Sequence, residues 1–366
     1  MIRIYRLFFL LILMLGVAPS YSEDKPTIDE FNKAYAEYQT FADQGDWSNA
    51  LAHARNTYQM GKVLFGEANK NTASLSYNYG LNLMSLGKGD EAEGIFRETL
   101  KMYESIYGKA SQELIPVLMD LGHSMAEPFE KPVQMKYYAR ALNLAKENYG
   151  EGSVNWAQLS IEAGIEMLTK ARSIKAKKYL YQGYNVLEKN LGVAAPRTGV
   201  AAFYIGKFEL VTKDYEKAIT YFNKALLSFT LPEEPSSRIE LATHGFLVEA
   251  YERLGQNDSA TKHCLAIGRM TPTQAVQDYQ PLVKVPPKYP ASALRQGKEG
   301  YVTVEYDVDE FGFVRNPKVV NRSGSKAFNT VSLEAAKKFR YAPSFKDGEP
   351  ITTAGVQNKF VFTLAP

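Results

Sequence analysis

One regularity constrains this chain more than any other: small residues recur on a 42-residue grid. Alanine stands at Ala50, Ala92, Ala176, Ala218 and Ala260, with only Gln134 interrupting. Twelve residues before each grid point stand Tyr38, Gly80, Gly122, Gly164, Gly206 and Val248. A third column falls in phase at Phe65-Gly66, Tyr107-Gly108, Tyr149-Gly150 and Leu191-Gly192. Three columns in one register describe one repeated unit: a helix, a tight turn, a second helix and a Gly-containing connection. Small residues at the inner columns let paired helices approach closely, while Phe96, Tyr138, Leu180 and Phe222 fill the space beside them. The register predicts one uninterrupted α-helical solenoid of six helical-hairpin repeats, each burying its apolar face against its neighbours.

The helical pattern stops after Gly268, and the following segment contains Pro272, Pro281, Pro286, Pro287 and Pro290, which reads as a linker. Beyond it the period changes to two: Val302, Val304, Tyr306 and Val308 share one strand face, with Thr303, Glu305 and Asp307 on the other. The turn at 309–312 leads to a second strand around Phe313–Asn321. Phe328, Val331, Ala335 and Phe339 then mark an amphipathic helix, and a last strand follows at about Ala354–Leu364. Strand, strand, helix, strand makes a small α+β domain with its helix on one sheet face.

At the N-terminus, Arg3 and Arg6 precede the apolar run Leu7 to Val17, with Pro19, Ser20 and Ser22 behind it. This outlines a secretory signal peptide over residues 1–22, since the run as a helix measures about 16 Å, roughly half a bilayer's hydrocarbon thickness. The domain plan is then a signal peptide at 1–22, a solenoid at 23–275, a proline-rich linker at 276–288 and a terminal domain at 289–366. With 43 basic and 40 acidic residues the chain has no nucleic-acid-binding charge.

One cysteine, Cys264, rules out an internal disulfide, and it stands in the same column as Phe96 and Phe222, so it reads as core. His53, His123 and His244 lie in different repeats without the spacing of a zinc site or a triad. The acidic residues Asp307, Asp309 and Glu310 lack the ligand ladder of a calcium loop. Neither a Gly-rich phosphate loop nor a nucleophile elbow occurs. The reading is a non-enzymatic binding protein with no catalytic residue, cofactor or metal.

The segment holding Ile205-Gly206, Tyr215, Ala218, Phe222 and Ala225-Leu226 resembles the tetratricopeptide repeat, as do residues 86–100 and 45–54. The 42-residue period is similar to the longer-helix version found in kinesin light chains, and the resemblance covers about residues 28–275. The first-helix column that faces the groove of such solenoids reads Tyr35, Tyr77, Met119, Ile161, Phe203 and Gly245. Either these side chains line a peptide groove, or the longer helices cover them.

The C-terminal segment resembles the C-terminal domain of TonB. The residues carrying this are Tyr289-Pro290, Ala293, Gly297, Glu299-Gly300, Val302, Val304, Gly312, Val314, Val319, Ser323-Gly324, Phe328, Ala335-Ala336, Phe339-Arg340-Tyr341, Pro343 and Phe360. The resemblance implies a periplasmic domain that captures an extended segment of an outer-membrane transporter as an added strand. It places the capturing edge at Gly355 to Thr363, with Gly355, Gln357, Lys359, Phe360 and Val361 along it and Tyr289 and Pro290 at its mouth. It also implies protein partners: a TonB-dependent transporter or related envelope protein, and an inner-membrane motor if the N-terminus stays in the membrane as an anchor. Against that transducer alternative, no histidine precedes His53 and no proline run exceeds two residues. The expected role is a periplasmic adaptor that reaches the membrane only through its partners.

Overall fold

The computed structural model describes residues 25–125, 131–169, 174–229, 238–271 and 279–364; the expected signal peptide lies outside them. Instead of one uninterrupted body, the chain divides into two compact units with the boundary between Ala126 and Glu127. The first unit holds α1 (Ile28–Asp43), α2 (Trp47–Phe65), α3 (Lys70–Ser85), α4 (Gly89–Tyr107) and α5 (Leu114–Ser124). Thr27 opens it with a capping box: its hydroxyl accepts from the Glu30 amide and the Glu30 carboxylate accepts from the Thr27 amide. The second unit holds α6 (Lys131–Tyr149), α7 (Val154–Thr169), α8 (Ala176–Leu191), α9 (Pro196–Val211), α10 (Tyr215–Phe229), α11 (Arg238–Arg253) and α12 (Asn257–Met270), followed by the terminal domain. Within each unit successive helices pack on one another, which is the expected solenoid of helical hairpins.

The columns of the grid have distinct jobs. Ala50, Ala92, Ala176, Ala218 and Ala260 are wholly buried. The glycine column meets the bulky column sixteen residues later: a Cβ on Gly164 would lie 2.8 Å from Leu180 and one on Gly206 2.6 Å from Phe222, and Gly80 is filled in the same way by Phe96. Distances this short leave no room for even a methyl group. The last repeat, which departs from the Gly column, keeps the complement: Val248 shares a buried cluster with Cys264, so the pair divides its volume differently.

The third column ends helices. Gly66, Gly108 and Gly192 cap α2, α4 and α8 with φ 84–86° and ψ 158–162°. That region lies outside the ordinary left-handed cap and is open essentially to glycine alone.

The terminal domain contains α13 (Ala291–Arg295), β1 (Gly300–Val308), β2 (Val314–Ser323), α14 (Ala327–Ala336), β3 (Ser344–Lys346), β4 (Glu349–Ile351) and β5 (Thr353–Phe362). Its main sheet is antiparallel with order β2-β1-β5. Val302, Val304, Tyr306 and Val308 bury the expected face, joined by Val356, Phe360 and Phe362 from β5 and by Phe328 and Phe339 from the α14 region. The face carrying Thr303, Glu305 and Asp307 is uncovered by helix, matching alternation in a sheet packed on one side.

Two features depart from the expected strand-strand-helix-strand order. A small β3-β4 hairpin stands before β5, turning at Asp347 (φ 51°) and Gly348 (φ 84°); Asp-Gly is the sequence signal for such a turn. The linker reading also needs correction from Tyr279 onward. Tyr279 is buried, donates its hydroxyl to the Ala342 carbonyl and lies against the Tyr341 ring, while Leu282 and Val283 bond to the Arg340 backbone. Prolines here shape a segment that is extended and packed, because they fix φ without preventing burial. Residues 272–278 lie outside the described part.

Candidate protein-binding edge

The sheet has two edges of unequal character. On the β2 side the register slips twice, between Thr303 and Val304 and between Glu305 and Asp307; Asn316 has φ 51°, and Pro317 removes a donor. Bulges, proline and basic side chains are devices that stop an edge from pairing. On the β5 side the register runs without a slip from Gly300↔Phe362 to Tyr306↔Val356. Position 357 onward contains no proline until the chain's last residue. Among the described residues β5 pairs with β1 alone, leaving one side of its backbone without a ladder.

The expected edge residues fall on both faces of that strand. Phe360 points into the core, with its ring 5.7 Å from Phe339. Val361 is 62% exposed. Lys359 sets its ammonium 4.1 Å above the Tyr301 ring, and Gln357 donates to Glu305 at 2.8 Å. Lys318, which also donates to Glu305, is the first cause holding that carboxyl below its ordinary range, with Gln357 adding to it. Gly355 (φ 73°) marks where the regular ladder ends. The uncovered face beside β5 is therefore polar and aromatic, with Val361 as an apolar point.

Tyr289 and Pro290 are occupied within the domain. The Tyr289 ring meets Phe328 and Phe362 edge-on, each with centroids 5.6 Å apart, and its hydroxyl donates to the Lys298 carbonyl at 2.6 Å. Pro290 is the N-cap of α13. Tyr289 thereby braces the end of β5 where Phe362 lies.

The groove column is mostly interior. Tyr77, Met119, Ile161 and Phe203 are buried, whereas Tyr35 and Gly245 are half-buried. Tyr77 donates its hydroxyl to Asp120 at 2.5 Å, and Phe203 packs against Phe222 and Phe246. The buried four are packed among the side chains of neighbouring helices, leaving Tyr35 and Gly245 partly open at the two ends of the column.

Sequence spacing missed two groupings. His244 and His263, nineteen residues apart on α11 and α12, place their Nδ1 atoms 2.8 Å apart, and Tyr251 stacks on His263. Arg340 is 2% exposed; in the sequence it stands outside the apolar periodicity of α14 and nothing marks it as interior. Other histidines meet carboxylates: His53 lies 3.3 Å from Glu37, and His123 3.3 Å from Asp120.

Fold and edge together define a helical-repeat protein that ends in a small strand-presenting α+β domain. Residues 285–364 match the family of the Gram-negative bacterial TonB protein C-terminal, and residues 72–113 match the tetratricopeptide repeat. The chain is similar to protein TonB of Vibrio cholerae, 34% identical over 68 residues, 19% of this chain and 28% of that protein. It is also similar to protein TonB of Yersinia enterocolitica, 38% identical over 60 residues, 16% of this chain and 24% of that one. The likeness thus spans about a quarter of those proteins' length. Among solved structures, BtubC (BKLC) from P. vanneervenii covers 70% of this chain and 96% of its own at TM-score 0.50 with 16% identity, a likeness of fold. Both domain types are those expected from the sequence. Among the described residues no helix is long and apolar enough to cross a membrane.

Proposed function

We propose that this protein is a periplasmic protein-binding adaptor of a TonB-type transport system. In this reading the repeats hold the terminal domain, and the outer edge of β5 captures an extended segment of an outer-membrane transporter or related envelope protein. One observation carries it: β5 keeps its register without a slip from Val356 to Phe362 beside an unpaired side, while the opposite edge, β2, is broken by two slips and a proline. Main-chain donors and acceptors along such an edge supply affinity, and side chains flanking it supply specificity. Lys359, Gln357 and Val361 would sit beside alternate residues of the added strand on the uncovered face.

A photo-crosslinking residue placed at Val361 in cells tests this. The expected product joins position 361 to an extended segment of an outer-membrane transporter, and the same probe at Val320 on β2 gives none. Equal capture from both edges, or capture of no envelope protein at 361, contradicts the reading. Sequencing the N-terminus of the exported protein separates the adaptor from a membrane-anchored transducer: a start at Glu23 supports the adaptor, and retention of Met1 with the inner membrane supports the transducer.

A further inference from the structure

The terminal domain and the last repeat hairpin meet around one buried cation. The Arg340 guanidinium donates through Nη2 to Thr261 Oγ1 at 2.9 Å on α12 and to the Phe311 carbonyl at 3.3 Å in the β1-β2 turn. The same nitrogen lies 3.5 Å from Cys264 Sγ. Nε stands 3.2 Å from Glu252 Oε1 on α11, an ion pair whose angle is not that of a hydrogen bond. The guanidinium carbon sits 3.6 Å over the Phe313 ring.

Around this plug the two domains share one apolar cluster: Val248, Ala260, Cys264 and Ile267 from the repeats with Val283 and Ala342 from the terminal domain. Gly268 completes the fit, since a Cβ there would lie 2.6 Å from Phe345. Arg269 stacks over the same ring.

An arginine cannot shed its charge on burial, so it must be seated by partners in fixed geometry. Its planar fork bonds in defined directions, which makes it suited to fixing orientation. We infer that Arg340 is a positioning residue that locks the terminal domain onto α11 and α12, so that the β5 edge is presented at one fixed angle to the repeats of the second unit. This goes beyond the binding role and does not depend on what β5 captures.

Spin labels at exposed Lys189 on α8 and Lys337 beside α14 measure the lock in the full chain, with buried Cys264 left in place. The unaltered protein is expected to give one narrow distance distribution. Glu252→Ala, made on the repeat side so that the terminal core is untouched, is expected to broaden it at least twofold while helical circular dichroism is retained. Arg340→Lys, which keeps the charge but removes the fork that bonds Thr261 and the Phe311 carbonyl, is expected to broaden it at least as much. Should Glu252→Ala not fold, Thr261→Val removes one acceptor at constant shape and is expected to broaden the distribution measurably. A broad distribution in the unaltered chain, or an unchanged width in the folded variants, overturns the inference.

Discussion

The repeats and the terminal sheet handle their backbones in opposite ways. In each helix the amides and carbonyls bond inside the segment, and neighbouring helices meet through their side chains, chiefly by volume, as Phe222 fills the space left by Gly206, with polar pairs such as Ser76–Thr99 between them. In the sheet, bonding is between strands, so closure stops at β5 with one side unpaired. The difference teaches where partner recognition can reside. A helical surface recognises by exposed side chains, and here Tyr77, Met119, Ile161 and Phe203 are turned inward. A strand edge recognises by its main chain and needs no exposed apolar stripe.

If volume governs the repeats, truncating a filler must damage them most. Phe222→Ala is expected to cost about 3–5 kcal/mol, measured by chemical denaturation. A loss below 1 kcal/mol would mean that the Gly206 column is not closed by this ring. Next in size are the helix ends. Gly192→Ala places a side chain at φ 86° and ψ 162° and is expected to cost about 1–3 kcal/mol, readable in the same titration. Indifference to it would break the comparison from the other side, by showing that local backbone geometry is not what sets the repeat boundary.

The smallest expected effect is a pH dependence from the histidine pair. Burial is the first cause lowering His263, to about 4, helped by the His244 and Lys262 charges; burial also lowers His244, with Glu240 opposing. An unfolded histidine takes up its proton near 6.5, well before His263 does in the folded chain. The resulting stability is present above 6.5 and is lost as pH falls towards 4. At pH 5 the loss should reach roughly 1–2 kcal/mol after allowing for the ring's partial exposure. Denaturation at pH 8 and pH 5 checks it, and His263→Asn should flatten the difference. A wild-type stability that rises on acidification between those values would show that another group dominates.

How legible each region was follows from the same physics. The repeats announce themselves because volume complementarity must recur in every unit, leaving columns in the sequence; even Val248 with Cys264 obeys the rule in inverted sizes. β1 and β5 were readable from alternation because one face is buried. The β3-β4 hairpin is hard to see in the sequence because three residues per strand leave no period, although Asp347-Gly348 carries its turn signal. The proline-rich segment looked like a linker because proline density reports backbone shape and says nothing of burial. Arg340 and the His244–His263 pair depend on tertiary proximity, which no spacing encodes.

The proposed role sets the β5 edge against the helical surface as the place where a partner binds. Amide hydrogen exchange of the full chain, with and without a synthetic extended peptide from an outer-membrane transporter, tests it most directly. The peptide is expected to slow exchange along residues 356–362 and to leave β2 and the α7, α9 and α11 faces unchanged. Protection confined to those helices, with residues 356–362 unaffected, would contradict it.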